Sequence, residues 1–587
     1  MASKKVVSPP KDDVARTRYL TIVAQDPAVR DATGKILTAS VAVPAETLAP
    51  GPRGYRLHVV DYDASSKTAY RPLKLPEDGS DPYEGVGSGR ILDDPGFHCQ
   101  NAYAIAMRAL ARFEYALGRR VPWGFPGHQL TIAPHAFADA NAFYSESDQA
   151  LLFGYFPARD KGNVFSCLSH DIVAHETTHA ILDGIRTRFS DPSSPDQAAF
   201  HEGFSDVVAL LSVFSLPNLV GVVLDRSLAG TRKTARGRTV IHERDVTGEA
   251  LCNSVLLGLA EQMGRELQVV RGDALRRSVT LAVSPAWKRD PEYEEPHRRG
   301  EILVAAVLQS FLAVWVDRLE QLGRLDQHYL DRERVAEEGA EIADYLLTMC
   351  IRALDYTPPV HIEFGDFLSA LLTADYEIRP TDSKYHFRDH LRQSFERFGL
   401  PPAGSGGFEE GLWAPAMRLA PSRNRFESMT RDPDEVFRFV WDHRDALKLY
   451  DGAYTRVISV RPCLRVAPDD GFPLRETVAE VLQQLRIPAS ELSRFGIEKP
   501  AGVDGTQELE IQGGVTLVFD EYGQLKFSIW KRLYERTDLA VQAGQTERLR
   551  YLAKFGYFER GGSRRNSLSA LHRLRAMGQS RSPQELW

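Results

Sequence analysis

His175, Glu176 and His179 stand in the run SHDIVAHETTHAILDGI, residues 169 to 185, with the two histidines four positions apart. In a helix that spacing sets them about 40° apart around the axis and one turn apart along it. Both imidazoles can then reach one ion at about 2.0 to 2.1 Å, the usual zinc–nitrogen distance. Glu176 follows the first histidine and points beside the ion, where a base must sit to take a proton from water. A second run, AAFHEGFSDVVALL, carries Glu202 and Asp206, again four apart, while Phe200, Phe204, Val207, Val208 and Leu211 supply its buried side. Glu202 gives a third protein ligand and leaves the fourth position to water, the open arrangement of a catalytic zinc rather than the closed one of a structural site. Asp206 can accept a hydrogen bond from a ligand imidazole and fix its tautomer. Two histidines on a helix can also be ordinary satisfied polar groups, and Glu202 an exposed helix residue. Having all four residues in register on two helices favours the metal.

The elements that must carry these residues are legible from periodicity. From about 18 to 85 the chain is strand-like: YLTIVAQ, KILTASVAVP and YRLHVVDYDA alternate or run apolar between Gly, Pro and Asp. Residues 86 to 96 read as a linker. Apolar residues at three- and four-residue spacing predict a helix from 97 that stops at Gly118. VPWGFPGHQLTIAPHAF and NAFYSESDQALLFGYF read as strands and turns. Further helices are predicted over 170–187, 198–214, 247–268, 301–321 and 333–354. Pro, Gly and charge clusters between 377 and 435 suggest an irregular connection. After 450 two strand runs, YTRVISVRPCLRVAP and GGVTLVFDEYGQLKFSIWKRL, flank TVAEVLQQL, which reads as a helix.

The expected organisation is therefore α+β: a flexible arm over 1–17, a β-rich segment over 18–90, the site-bearing domain over 91–376, a connecting segment over 377–450, an accessory α+β domain over 451–535 and a basic tail over 536–587. The tail is read as solvated, with a docking element as the alternative. Of 587 residues, 43% are hydrophobic and 26% charged, the composition of a globular protein. A formal net charge of −7 gives no reason to expect a nucleic-acid or acidic-membrane partner. No run of some 18 apolar residues is evident and no apolar stretch follows the lysines of the N-terminus, so neither a membrane span nor a secretory signal is expected. A cytoplasmic location is expected, with signal-independent export left open. Five scattered cysteines, Cys99, Cys167, Cys252, Cys350 and Cys463, read as reduced thiols. Cys167, eight residues before His175, either approaches the metal or fills space as a small buried residue.

Over roughly residues 95 to 310 the chain resembles the thermolysin-like metallopeptidases, zinc enzymes with a glutamate as third ligand. His175-Glu176-Thr177-Thr178-His179 with Ala180 and Asp183 is similar to that family's zinc helix, Glu202-Gly203-Phe204-Ser205-Asp206 to its Glu-x-x-Ser-Asp motif, and Asn141-Ala142-Phe143-Tyr144 to its Asn-Ala-Phe-Trp edge strand. The resemblance implies a thermolysin-like core, one catalytic zinc and a peptide or protein substrate. It implies that Asp183 supports the zinc helix from behind the ligands, that the Asn141 amide binds the substrate backbone and that the Ala142 carbonyl receives the leaving amine. An extended peptide adding itself to an edge strand is an ordinary mode of recognition. His297, in EPHRRGEILVAAV, resembles the histidine that stabilises the oxyanion, with an exposed loop histidine as the alternative. Arg276, in GDALRRS, resembles the arginine beside the specificity pocket; Arg277 or a plain surface role are the alternatives.

The departures are specific. Between His179 and Glu202 lie 22 residues, more than usual, and RFSDPSSPDQ reads as an inserted loop. Asp171 keeps the position of one calcium ligand, but the glutamate expected near Val213 is missing, so a complete double calcium site is not expected. No tyrosine follows the zinc helix at the usual distance, and Phe189 cannot donate a hydrogen bond. A metzincin would need a third histidine at 185, which is Ile185, and the aminopeptidase motif Gly-x-Met-Glu-Asn is absent. The expected function is zinc-dependent endopeptidase. The alternative is a zinc-binding protein without turnover that acts as a partner-binding module, and a regulatory partner is not identified by the sequence.

Overall fold

In the computed structural model, described for residues 17–558 except 28–29, 31–33, 159–161, 192, 228–231, 235–236, 248–277, 279–280, 326–327, 405–408, 420–424 and 468–470, the chain is mixed α+β. Two strands, β1 (Thr17–Val23) and β2 (Thr38–Pro44), pair antiparallel with Thr17 opposite Pro44 and Val23 opposite Thr38. A second sheet contains β3 (Leu57–Val59), β4 (Leu130–Phe137), β5 (Ala142–Ser145) and β6 (Ala150–Pro157), with the short strand Asn163–Phe165 pairing antiparallel to the end of β6. Its order is β3-β4-β6-β5, with β4 parallel to its neighbours and β5 antiparallel to β6, so β5 is an outer strand.

The helix α1 (Pro95–Leu117) starts where Asp94 accepts the Gly96 N–H at 2.8 Å and Pro95 pre-sets the first turn. It stops at Gly118, whose φ of +66° ends it in the left-handed conformation that glycine adopts without strain. Four further helices complete the core around the histidine pair: α2 (His170–Ile185), α3 (Pro195–Phe214), α4 (Pro217–Ser227) and α5 (Pro296–Gln321). Pro195 and Pro296 open α3 and α5, with Ser194 and Glu295 as caps. By length and composition α5 could cross a membrane, since an 18-residue window reaches a mean hydropathy of 1.8. That window is 72% buried, and in this chain α5 packs along α3 as a core helix. The helix α6 (Arg332–Ala353) lies against α1, α3 and α5 and places Trp315 and Gly339 in contact.

Several sequence expectations change. The stretch 377–450 is not irregular throughout: it contains α8 (Phe387–Arg397) and α9 (Pro433–Asp442), which follow α7 (Phe364–Ile378). TVAEVLQQL is a strand, not a helix. It lies within β8 (Pro473–Pro488), the second strand of an antiparallel meander with β7 (Tyr454–Val466), β9 (Glu508–Phe519) and β10 (Leu525–Lys531). Eight consecutive residues of β8, Glu476 to Gln483, are buried, because both faces of the sheet are covered. Val478, Val518, Phe527 and Ile529 join the main core, while Ala479, Val481, Val515 and Leu517 pack against Val436, Phe439 and Val440 of α9. A strand buried on both faces loses its alternation and cannot be told from a buried helix by period. Residues 539–554, read as the start of a solvated tail, form α10 (Leu539–Lys554), whose Gln545 donates to the Gln512 and Leu533 carbonyls and whose Leu549 is buried. The helix expected over 247–268 lies almost wholly outside the described residues. Cys99, Cys167, Cys350 and Cys463 are buried free thiols.

A buried network of charges joins the meander to the helical core. Asp355, just after α6, accepts from Arg119 at 2.5 and 2.7 Å and pairs with Arg465 of β7, which also pairs with Glu476. Arg186, at the end of α2, pairs with Glu480 at 2.7 Å. Burial alone would raise the Asp355 carboxyl, but Arg119 and Arg465 override it and hold the group well below the usual carboxylate range.

Candidate metal centre

Three buried side chains from two helices converge on one point. His175 and His179 project from α2 and Glu202 from α3, and their ligating atoms all lie within 4.8 Å of one another. The His175 and His179 Nε2 atoms are 2.8 Å apart, and each is 3.7 Å from Glu202 Oε2. The four-residue spacing on α2 brings the two rings together almost perpendicular, with centroids 4.5 Å apart.

The other ring nitrogen of His175 identifies its tautomer. His175 Nδ1 lies 2.7 Å from Asp206 Oδ1, and a carboxylate can only accept, so Nδ1 carries the proton and Nε2 presents a lone pair. His179 Nδ1 lies 2.7 Å from His201 Nδ1, with the Ser205 hydroxyl at 3.3 Å. With the proton on His179 Nδ1, its Nε2 also presents a lone pair. Two such lone pairs 2.8 Å apart beside a carboxylate repel unless a cation lies among them. Two imidazoles and one carboxylate are a donor set that suits zinc.

His201 is a site residue that the sequence reading passed over. Its ring stacks on His179 with centroids 4.8 Å apart and an 11° interplanar angle. The signal was present: four residues before Ser205 and beside Glu202, it occupies the helix face that meets α2.

Glu176 is buried, and its Oε2 accepts the backbone N–H of Tyr144 at 3.0 Å. That bond fixes the phase of the outer strand β5. If the Tyr144 N–H points away from β6, the residue two before it presents its backbone groups on the same side. Consistently, the intervening register has the Asn141 carbonyl turned inward to accept from Gly154 N–H at 2.8 Å. The Ala142 backbone therefore faces the side where Glu176 lies. The Asn141 side chain, expected to bind substrate, is buried at the entry to the same strand. Asp183 accepts from the Tyr144 hydroxyl at 3.1 Å, so it braces β5 against α2. Burial, with Asp183 beside it, pushes the Tyr144 phenol well above its ordinary range and keeps it protonated.

His297 reaches the site from α5. Its Nε2 is 3.4 Å from Glu202 Oε2 and its Nδ1 2.8 Å from Glu295 Oε1, and its side chain is 17% exposed. The exposed-loop alternative thus gives way to a place beside the ligand set. The reason lies in two glycines. A Cβ at Gly203 would stand 2.8 Å from the Gly300 carbonyl oxygen and 3.1 Å from its Cα, so α3 and α5 touch backbone to backbone one residue after Glu202 and three after His297. Arg299 fastens the same end by pairing with Asp196 in the first turn of α3.

The remaining expectations fall elsewhere. Phe189 is fully buried and meets Phe200 edge-on, facing the core. The inserted loop after α2 is pinned where Ser193 meets His361 Nδ1 at 2.7 Å and Gln197 donates to the Arg188 carbonyl at 2.8 Å. Asp171 interacts with the Ser169 hydroxyl at the start of α2. Arg276 and Arg277 lie outside the described residues. Cys167 does not belong to this cluster; it groups instead with His98 and His135. In comparison with known proteins, no family model matches this chain and no curated protein matches it.

Proposed function

We propose that the chain is a zinc-dependent endopeptidase of the thermolysin-like kind. The observation that carries the proposal is the convergence of two imidazole Nε2 atoms and a carboxylate with a separate buried glutamate bonded to an outer strand. His175, His179 and Glu202 would hold the ion. Bound there, zinc would supply Lewis acidity, polarising a carbonyl and lowering the pKa of water towards about 7.

The chain's own residues supply the rest. Glu176, held by the Tyr144 amide, takes the proton of the attacking water and delivers it to the leaving nitrogen. An extended peptide pairing with β5 meets the Ala142 backbone on the side of Glu176, which presents its scissile bond to the base. His297, when doubly protonated with its Nδ1–H given to Glu295, can donate from Nε2 to oxygen charge that develops during attack, an effect worth a few kcal/mol per donor. Asp206 and His201 hold the ligand rings in the tautomers that face the ion.

The test pairs metal content with cleavage of a diverse peptide library, on wild type and Glu176→Gln. The expected result is zinc at the His175–His179–Glu202 site in both and cleavage only by wild type. Cleavage by the variant would overturn the role of Glu176. Zinc in both with cleavage by neither would favour the partner-binding module.

A further inference from the structure

A second cluster repeats the signature of the first. His98 of α1, His135 of β4 and Cys167, in the short turn that leads into α2, are all buried and place their ligating atoms within 4.8 Å of one another. His98 Nδ1 and His135 Nε2 face each other at 2.7 Å. The far nitrogen of each ring is already committed. His98 Nε2 lies 2.8 Å from the Leu92 carbonyl, and His135 Nδ1 lies 2.7 Å from Asp61 Oδ1. A carbonyl and a carboxylate only accept, so both far nitrogens carry protons and both near nitrogens present lone pairs.

From these contacts we infer that His98, His135 and Cys167 bind a zinc ion of their own. The cation that must lie between the two lone pairs is either a proton or a metal. The sulfur decides between them, because a bridging proton has no use for a third ligand whereas a thiolate with two imidazoles is a set that zinc favours. Charge accounting agrees: a divalent ion, one thiolate and the Asp61 carboxylate sum to neutrality in a pocket walled by Phe165, whose ring centroid is 4.6 Å from His98 and 5.3 Å from His135. Asp61 also receives the Cys99 thiol at 3.6 Å, so its negative charge is shared around the cluster. Carboxylate and carbonyl partners behind ligand imidazoles are what orients such rings.

The place of the cluster gives the ion its work. It ties α1, the central strand β4 and the residue that stands three before the first residue of α2. The second ion would thus fix the entry of the helix that bears His175 and His179, without itself meeting substrate. It is a separate site, and its existence does not depend on the peptidase reading.

Production of the full chain in zinc-depleted, cobalt-supplemented medium tests this. The expected product binds a cobalt at this cluster in addition to any at the His175–His179–Glu202 site, and shows the near-ultraviolet sulfur-to-cobalt charge-transfer band of a thiolate ligand. That band should vanish in Cys167→Ser and persist in His179→Ala, each losing one metal equivalent. A wild-type protein with no thiolate band would overturn the inference and leave a bridging proton; this reading needs no variant to fold. A band untouched by Cys167→Ser would overturn it too. A band that persists while His179→Ala loses no metal would uphold this site and count against the other.

Discussion

Replacing Gly203 by alanine tests whether His297 acts through its distance from Glu202. The new Cβ would meet the Gly300 carbonyl oxygen at 2.8 Å and Cα at 3.1 Å, and both belong to a helix backbone that cannot swing aside. Ordinary van der Waals contact begins near 3.4 Å, so α3 and α5 must part by about 0.6 Å at this point. Two effects on stability oppose each other. Overpacking costs about 1–3 kcal/mol, while alanine in place of glycine in a helix recovers about 1 kcal/mol. The net is a loss of about 0–2 kcal/mol, seen as a fall of a few degrees in Tm. Activity should be the sharper readout. Separating the helices carries His297 away from its 3.4 Å approach to Glu202, and an error of about 1 Å in a catalytic group can cost on the order of 100-fold. The expected result is kcat down roughly 10- to 100-fold with zinc retained through His175 and His179 on α2, even though Glu202 stands beside the altered contact on α3. Gly323→Ala, which adds a methyl to open space, serves as the control. Wild-type kcat in Gly203→Ala, with the usual metal content, would refute the role given to the close approach.

His201→Ala removes the ring that meets His179 Nδ1 at 2.7 Å, and if that ring accepts the His179 proton, zinc affinity measured by competition with a chelator should fall about 10- to 100-fold. His201→Asn keeps an acceptor and should restore most of it; equal loss in both variants would show that only packing was at stake. Asp355→Asn leaves Arg119 buried without its countercharge and Arg465 with Glu476 alone, and should cost about 3–5 kcal/mol in denaturant unfolding. Because the folded Asp355 pKa lies below the unfolded one, its contribution is present above about pH 4 and is lost as pH falls further. The gap between wild type and Asp355→Asn should therefore narrow in acid; a gap that stays constant down to pH 2 would show that the carboxylate charge was not the cause.

What the sequence made legible follows from period and spacing. The helices at 97, 170, 198, 301 and 333 carry long apolar stripes, and α1, α2, α3, α5 and α6 appear within a few residues of the expected bounds. His175, His179, Glu202 and Asp206 were readable because helical spacing is rigid: once two residues are four apart, their side chains share a face. His297 depended on something spacing does not encode, the backbone contact of Gly203 with Gly300, two glycines 97 positions apart. The second histidine pair was illegible for the same reason. His98, His135 and Cys167 lie on three elements, and only the packing of α1 over β4 brings them together. β8 was misread because burial on both faces erased its alternation, and α8 and α9 were hidden among the charged and proline-rich runs that flank them.

The charge network under the meander decides how this chain can be cut. Arg119, Arg186 and Asp355 belong to the helical half, and their partners Arg465, Glu476 and Glu480 belong to strands beyond residue 450. A chain ending near 450 would keep the Arg119–Asp355 pair but strip Asp355 of Arg465 and Arg186 of Glu480, leaving Arg186, the residue that caps α2, without its countercharge on a newly exposed apolar face. The last hundred or so described residues are thus a keel rather than a trailer. Any shorter version of the chain would have to re-engineer that face.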